Sequence, residues 1–111
     1  MTDWTKETEQ KLRSLADQDN FLLFEDRKYA DIGATVALQA ARTVTWADLV
    51  TVHGVAGPGV IAAVASQAAQ VGRDVGVLMV AEMSCANNLG ILNILNILMR
   101  INFSIQMLFN T

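Results

Sequence analysis

Residues 21–33 of the chain have the sequence FLLFEDRKYADIG. The apolar run at residues 21–24 shows no polar alternation, which is typical of a strand that is buried on both faces. Charged residues follow at once at 25–28, and Gly33 then opens a segment of small residues with helical character. The sequence therefore predicts a buried strand, a charged strand end and a helix, in that order.

The same alternation of strand and helix extends in both directions from this segment. The predicted helices cover residues 4–17, 32–41 and 60–71, and the predicted strands cover residues 21–24, 48–52 and 76–81. Strands separated by helices form right-handed βαβ units with a parallel sheet. A (β/α)8 barrel needs roughly 250 residues. We therefore predict an α/β fold, a partial TIM barrel of about three βα units with an atypical apolar C-terminal segment.

Composition excludes several classes of protein. The 111 residues carry a net charge of −3 with no basic cluster, which argues against a nucleic-acid partner. The single cysteine excludes an intramolecular disulfide and a zinc site built from several cysteines. The polar opening at residues 1–6 has no apolar core of a secretory signal, so we expect a cytoplasmic protein.

The last part of the chain differs in composition from the rest. We assign residues 1–88 to the partial barrel and residues 89–111 to a low-complexity apolar tail. One interpretation of the tail is a membrane anchor, but its asparagines and Arg100 are costly in hydrocarbon, so we expect no membrane association. A second is an amphipathic helix with Asn93, Asn96 and Arg100 on one face. The interpretation we favour is translated noncoding sequence, whose local conformation could still be helical.

Polar side chains gather where the predicted strands end, which is where α/β folds place their active sites. Asp26, Lys28 and Asp31 follow the first strand, His53 follows the second, and Ser84 follows the third. A lysine between two carboxylates is held as the cation and can act as a proton donor. The pattern DxKxxD is short, however, and a solvated run of charges remains the alternative at this point.

Three longer motifs point to a family. They are LFEDRKYADIGATV at residues 23–36, WADLVTVHGVAGPG at residues 46–59 and LMVAEMSC at residues 78–85. In order and spacing they closely resemble orotidine 5′-phosphate decarboxylases, especially those of fungi. The resemblance covers about residues 4–86 and corresponds to strands 3–5 of the family's barrel.

The resemblance implies a homodimeric TIM barrel that converts orotidine 5′-phosphate to UMP and CO2 without metal or cofactor, in pyrimidine biosynthesis. Lys28 would donate a proton to C6 of the pyrimidine, and Asp26 would lie beside the substrate carboxylate. Asp31 would enter the site of the partner subunit, where Thr35 would contact the ribose. Ser84 would hydrogen-bond to the pyrimidine.

The chain also departs from the family pattern. It lacks counterparts of the first two strands, of the last three strands and of the loop that grips the phosphate, so we expect a fragment, truncated at both ends, that is inactive alone. Two other functions stay open. One is a Mg²⁺-dependent sugar-phosphate decarboxylase or aldolase of the same superfamily, and the other is a non-catalytic module that binds intact barrels.

Overall fold

The computed structural model describes residues 3–86 and the strand Gln106–Phe109. Its helices are α1 (Lys6–Asp19), α2 (Gly33–Thr43) and α3 (Gly59–Gln70), with a short 3₁₀ turn at Gly54–Ala56. Its strands are β1 (Phe24–Tyr29), β2 (Leu49–His53), β3 (Gly76–Glu82) and β4 (Gln106–Phe109). All pairs are parallel, and the strand order is β1-β2-β3-β4. The predicted α/β fold with successive βα units is confirmed.

Local signals at both ends explain where α1 begins and ends. The Thr5 hydroxyl accepts a hydrogen bond from the Thr8 N–H at 3.2 Å and so caps the first turn. Asn20 adopts a left-handed conformation with φ 57°, and its N–H donates to the Ala16 carbonyl. This is the usual way for a helix to stop at an asparagine, and the helix ends two residues beyond the predicted range of 4–17.

A core of small and β-branched side chains holds α2 and α3 against the sheet. The buried members of this core include Val36, Ala40, Val50, Val52, Val60, Ile61, Val64 and Met79. The first residues of α2 and α3 lie close together. A Cβ atom placed on Gly33 would lie only 3.3 Å from the carbonyl oxygen of Gly59. Glycine at residue 33 therefore permits a contact that a larger residue would push apart.

The run at residues 21–24 differs from the prediction of a strand buried on both faces. The strand begins only at Phe24, and Phe21, Leu22 and Phe24 are all exposed, Leu22 to 69%. Phe21 and Leu22 precede the strand, and β1 is the first strand of the described sheet and pairs only with β2, so fewer neighbours surround this run. An apolar run predicts burial on both faces only when the strand has layers over both of them.

The fourth strand falls within the tail for which a helix was considered. β4 pairs with β3, with Leu78 opposite Gln106 and Val80 opposite Leu108, and the register shifts by one residue between Val80 and Glu82. These four residues are extended, and the edge of β3 offers backbone groups that such a segment can satisfy. The rest of the tail and its boundary at residues 88 and 89 lie outside the described residues, as does the membrane-anchor alternative. Within the described residues, no helix has the length and apolar character to cross a membrane.

A network around Asp48 fastens the amino-terminal ends of the strands. One carboxylate oxygen accepts from the Leu23 N–H and from Arg13, both at 2.8 Å, and the other accepts from Arg73 at 3.0 Å. Burial alone would raise the pKa of Asp48, but the Leu23 N–H and the two arginines outweigh it and lower that pKa. The same guanidinium groups also bond to backbone carbonyls of Trp46, Val44 and Ala47. One carboxylate thus connects α1, the start of β1 and the segment before β3.

Candidate functional site

The carboxyl end of β1 is irregular, and this irregularity builds the site. Glu25 pairs with Val50 and Tyr29 pairs with Val52, so four steps along β1 match two steps along β2. The residues between Glu25 and Tyr29 therefore form a bulge. Bulges re-aim side chains and are frequent beside active sites.

The bulge brings the predicted site residues Asp26 and Lys28 into direct contact. The Lys28 Nζ atom lies 2.7 Å from each of the two carboxylate oxygens of Asp26. The Lys28 side chain is 34% exposed and that of Asp26 is 53% exposed, so the pair lies at the surface and can meet a ligand. The hydrogen bond from Lys28 lowers the pKa of Asp26, which keeps this carboxyl group ionised.

The backbone at Lys28 is in an unusual conformation. Its φ is 55°, in the left-handed region, and only Asn20 shares this property among the described non-glycine residues. For a residue with a Cβ this conformation costs roughly 1–2 kcal/mol. Strain of this kind persists only where the surroundings enforce it, and it is concentrated at functional sites.

Thr51 enforces this conformation, and sequence reasoning missed it. Its side chain is fully buried in the middle of β2. Its hydroxyl accepts a hydrogen bond from the Lys28 N–H at 2.8 Å and donates one to Asp26 at 2.9 Å. A signal was present in the sequence, since a single hydroxyl inside the apolar strand LVTVH must find a partner when it is buried.

An open pocket of about 530 Å³ adjoins the pair. Its lining consists of Arg27, Lys28, Tyr29, Ala30, Asp31, Ile32, Gln39 and Ala56. This volume is within the range of small-molecule sites. Lys28 and Asp31 therefore line one cleft, and Asp26 contacts Lys28 from outside this lining.

The remaining predicted residues occupy separate places. The Asp31 carboxylate accepts a hydrogen bond from the Ile32 N–H at 2.7 Å, just before α2 begins. Thr35 is half-buried in the first turn of α2, Ser84 is exposed after β3, and His53 is half-buried at the end of β2. Among the described residues, neither Thr35 nor Ser84 lines the pocket or bonds to the Asp26–Lys28 pair.

Comparison with known proteins identifies the family. The family model described as "Orotidine 5′-phosphate decarboxylase / HUMPS family" matches residues 2–102. The chain belongs to this family. The orotidine 5′-phosphate decarboxylase of Saccharomyces cerevisiae is 45% identical over 95 residues, which are 80% of this chain and 36% of that protein. The corresponding enzyme of Eremothecium gossypii is 46% identical over 95 residues, again covering 80% of the chain and 36% of the relative.

Solved structures agree with this assignment. An orotidine 5′-monophosphate decarboxylase from Methanocaldococcus jannaschii, complexed with the inhibitor BMP, matches with a TM-score of 0.57 and 28% identity. The match covers 81% of this chain and 39% of that one. A second structure of the enzyme from this organism matches with a TM-score of 0.56 and 32% identity, over 69% of this chain and 37% of that one. The fold is thus a partial (β/α)8 barrel, and the chain spans little more than a third of the length of its curated relatives.

Proposed function

We propose that this chain serves the decarboxylation of orotidine 5′-phosphate to UMP and CO2, with Lys28 as the proton donor. The observation that carries the proposal is the ammonium group of Lys28, held 2.7 Å from both oxygens of Asp26, in a residue that lines an open pocket. Membership in the decarboxylase family supports the reaction, and this geometry supports Lys28 as the group that performs its last step.

The chemistry suits a lysine in this position. When the bond from C6 to the carboxylate breaks, CO2 leaves and its bonding electron pair stays on C6. An ammonium group nearby stabilises this negative charge, and then transfers a proton from Nζ to C6. Lys28 is left as the neutral amine and regains a proton from solvent.

Asp26 has two functions in this proposal. Its carboxylate fixes the Lys28 ammonium by two short contacts, and its own pKa is lowered by that lysine, so it stays negative. A negative group beside the carboxylate of the substrate repels it, and this repulsion is relieved when CO2 departs. The ion pair therefore both positions the proton donor and favours loss of the substrate carboxylate.

The other predicted roles remain part of the proposal. Asp31 is exposed at the pocket, which suits a carboxylate that reaches the site of a partner subunit in a homodimer. Thr35 lies away from the pair within one chain, as we expect if it contacts the ribose in the partner's site. Ser84 is exposed after β3 and is available for the pyrimidine.

We further propose that the reaction takes place in the cytoplasm without metal, cofactor or nucleic acid. A single cysteine is usual for a reducing compartment, and a net charge of −3 does not favour a phosphate backbone as partner. Within the described residues, no three His, Cys, Asp or Glu side chains cluster closely enough to hold a metal ion.

The chain spans only about a third of the length of its relatives. The direct test of the proposal is therefore binding of orotidine 5′-phosphate at Lys28, and not turnover by the chain alone. The ¹⁵N-labelled 111-residue chain is titrated with orotidine 5′-phosphate, and shift changes are followed at Asp26, Lys28 and Asp31. We expect saturable changes at these residues in the wild type and their loss in Lys28→Met, with Lys11→Met as a matched control on the exposed face of α1.

Other results would redirect the assignment. Saturable changes that appear only with Mg²⁺ and a sugar phosphate would favour the metal-dependent branch of the superfamily. An absence of any change at Lys28, together with association of the chain with an intact decarboxylase, would favour the non-catalytic module.

A further inference from the structure

The structure assigns to Thr51 the role of a positioning residue for the Asp26–Lys28 pair, a role that rests on the function proposed above. Its buried hydroxyl fixes the backbone of Lys28 and one carboxylate oxygen of Asp26 at the same time. Thr51 would not touch the substrate. It would act by holding the proton donor and its carboxylate partner in one arrangement.

The hydrogen bonds form a closed ring that needs a hydroxyl. Lys28 Nζ donates to Asp26, the Thr51 hydroxyl donates to the same Asp26 oxygen, and the Lys28 N–H donates to the Thr51 hydroxyl. The Thr51 oxygen therefore donates one hydrogen bond and accepts another. Serine could replace it in this respect, whereas valine, which has the same shape, could do neither.

The bulge explains why Lys28 depends on this hydroxyl. The register between β1 and β2 is broken at Lys28. Its N–H donates to the Thr51 hydroxyl, and this bond holds the residue at φ 55°. Without it, the left-handed conformation loses the contact that opposes its intrinsic cost.

Thr51 is also the rigid member of the three. It is fully buried in β2, lies opposite Leu78 of β3, and has a β-branched side chain with restricted χ1 rotation. The side chains of Asp26 and Lys28 are partly exposed and therefore less confined than that of Thr51. We infer that the buried Thr51 positions the Asp26–Lys28 pair, and not the reverse.

The test compares Thr51→Val, Thr51→Ser and Thr43→Val in the full chain. Thr43 is the matched control, because its buried hydroxyl bonds to Tyr29 and belongs to a different network. The titration of the Asp26 carboxyl is followed by ¹³C NMR, and the backbone of Lys28 by the intraresidue NOE between its amide and α protons. A residue that merely stabilises the fold would shift the unfolding midpoint but neither of these signals.

We expect Thr51→Val to raise the pKa of Asp26 toward its ordinary value and to weaken the strong intraresidue NOE of a left-handed Lys28. Thr51→Ser should restore both signals, and Thr43→Val should leave both unchanged. The role is overturned if Thr51→Val leaves the Asp26 titration and the NOE as in the wild type. It is equally overturned if the wild type itself lacks the strong NOE at Lys28, a measurement that needs no variant to fold.

The two proposals fail in different ways. If orotidine 5′-phosphate leaves the wild type unchanged while Thr51→Val still shifts the Asp26 titration, the proposed function is wrong and the positioning stands. If the ligand binds at Lys28 but Thr51→Val changes nothing there, the function stands and the positioning is wrong.

Discussion

Replacing Asp48 should cost the fold more than replacing any surface carboxylate. Asp48→Ala removes the acceptor for the Leu23 N–H, for Arg13 and for Arg73, and the Asp48 side chain is only 18% exposed. Each hydrogen bond to a charged group is worth about 1.5–3 kcal/mol when measured singly. The three do not add fully, because both arginines keep their bonds to backbone carbonyls and are partly solvated.

We therefore expect Asp48→Ala to lower the free energy of unfolding by about 3 kcal/mol, near the lower limit for breaking a buried ion pair. Asp17→Ala is the matched control, since Asp17 pairs with the same Arg13 but is 69% exposed. For that exposed pair we expect a change below about 0.5 kcal/mol.

Urea unfolding followed by tryptophan fluorescence measures both variants. Trp46 is buried and its ring centroid lies 5.4 Å from that of Trp4, so their emission reports the packing of α1 on the fold. Equal slopes against urea are needed for the comparison of midpoints. The reasoning is refuted if Asp48→Ala costs less than about 1 kcal/mol, or no more than Asp17→Ala does.

Three further outcomes can be checked. Asp26→Asn should change the free energy of unfolding by less than about 1 kcal/mol in a urea titration, because the lost ion pair is half-exposed. The same variant should abolish the NMR shift changes that orotidine 5′-phosphate causes at Lys28. Gly33→Ala should cost about 1–3 kcal/mol in a thermal or urea melt, since its Cβ would crowd the Gly59 carbonyl, whereas Ala34→Gly, at an exposed helical position, should cost at most about 1 kcal/mol. Folding lowers the pKa of Asp48 from 3.8, so its contribution to stability is present above pH 3.8 and is lost as the pH falls below that value. In an acid titration of the folded fraction, the unfolding transition of Asp48→Asn should therefore be shallower than that of the wild type.

The order of helices and strands was predictable because several segments have a clear apolar pattern. The helix over residues 60–71 and the strand over residues 76–81 agree with α3 and β3 to within about a residue, since each has one clear apolar pattern bounded by glycine. The run at residues 21–24 was misassigned, because hydrophobicity alone does not tell whether a strand has layers on both faces. The strand Gln106–Phe109 could not be foreseen, because its pairing depends on a distant edge and not on its own composition.

The contact between Asp26 and Lys28 in the candidate site was predictable from the sequence, but its geometry was not. The sequence predicts that Asp26 and Lys28 gather at the end of one strand, and the structure does bring them together. It does so through a bulge and a left-handed Lys28, which local sequence does not encode. The partner that makes this conformation favourable is Thr51, a residue 23 positions further along the chain. The register of the sheet determines contacts between residues that are this far apart in sequence.

Proton donation by Lys28 is the central claim, and a chimera tests it most directly. Residues 3–86 are placed in the matched segment of the Saccharomyces cerevisiae relative, and release of CO2 from orotidine 5′-phosphate is measured for Lys28 and for Lys28→Ala. A general acid contributes roughly 10²–10⁴-fold to a rate. We predict that the chimera with Lys28 is active and that Lys28→Ala lowers kcat by at least about 10²-fold. A folded Lys28→Ala chimera that keeps the rate of its parent would contradict the account.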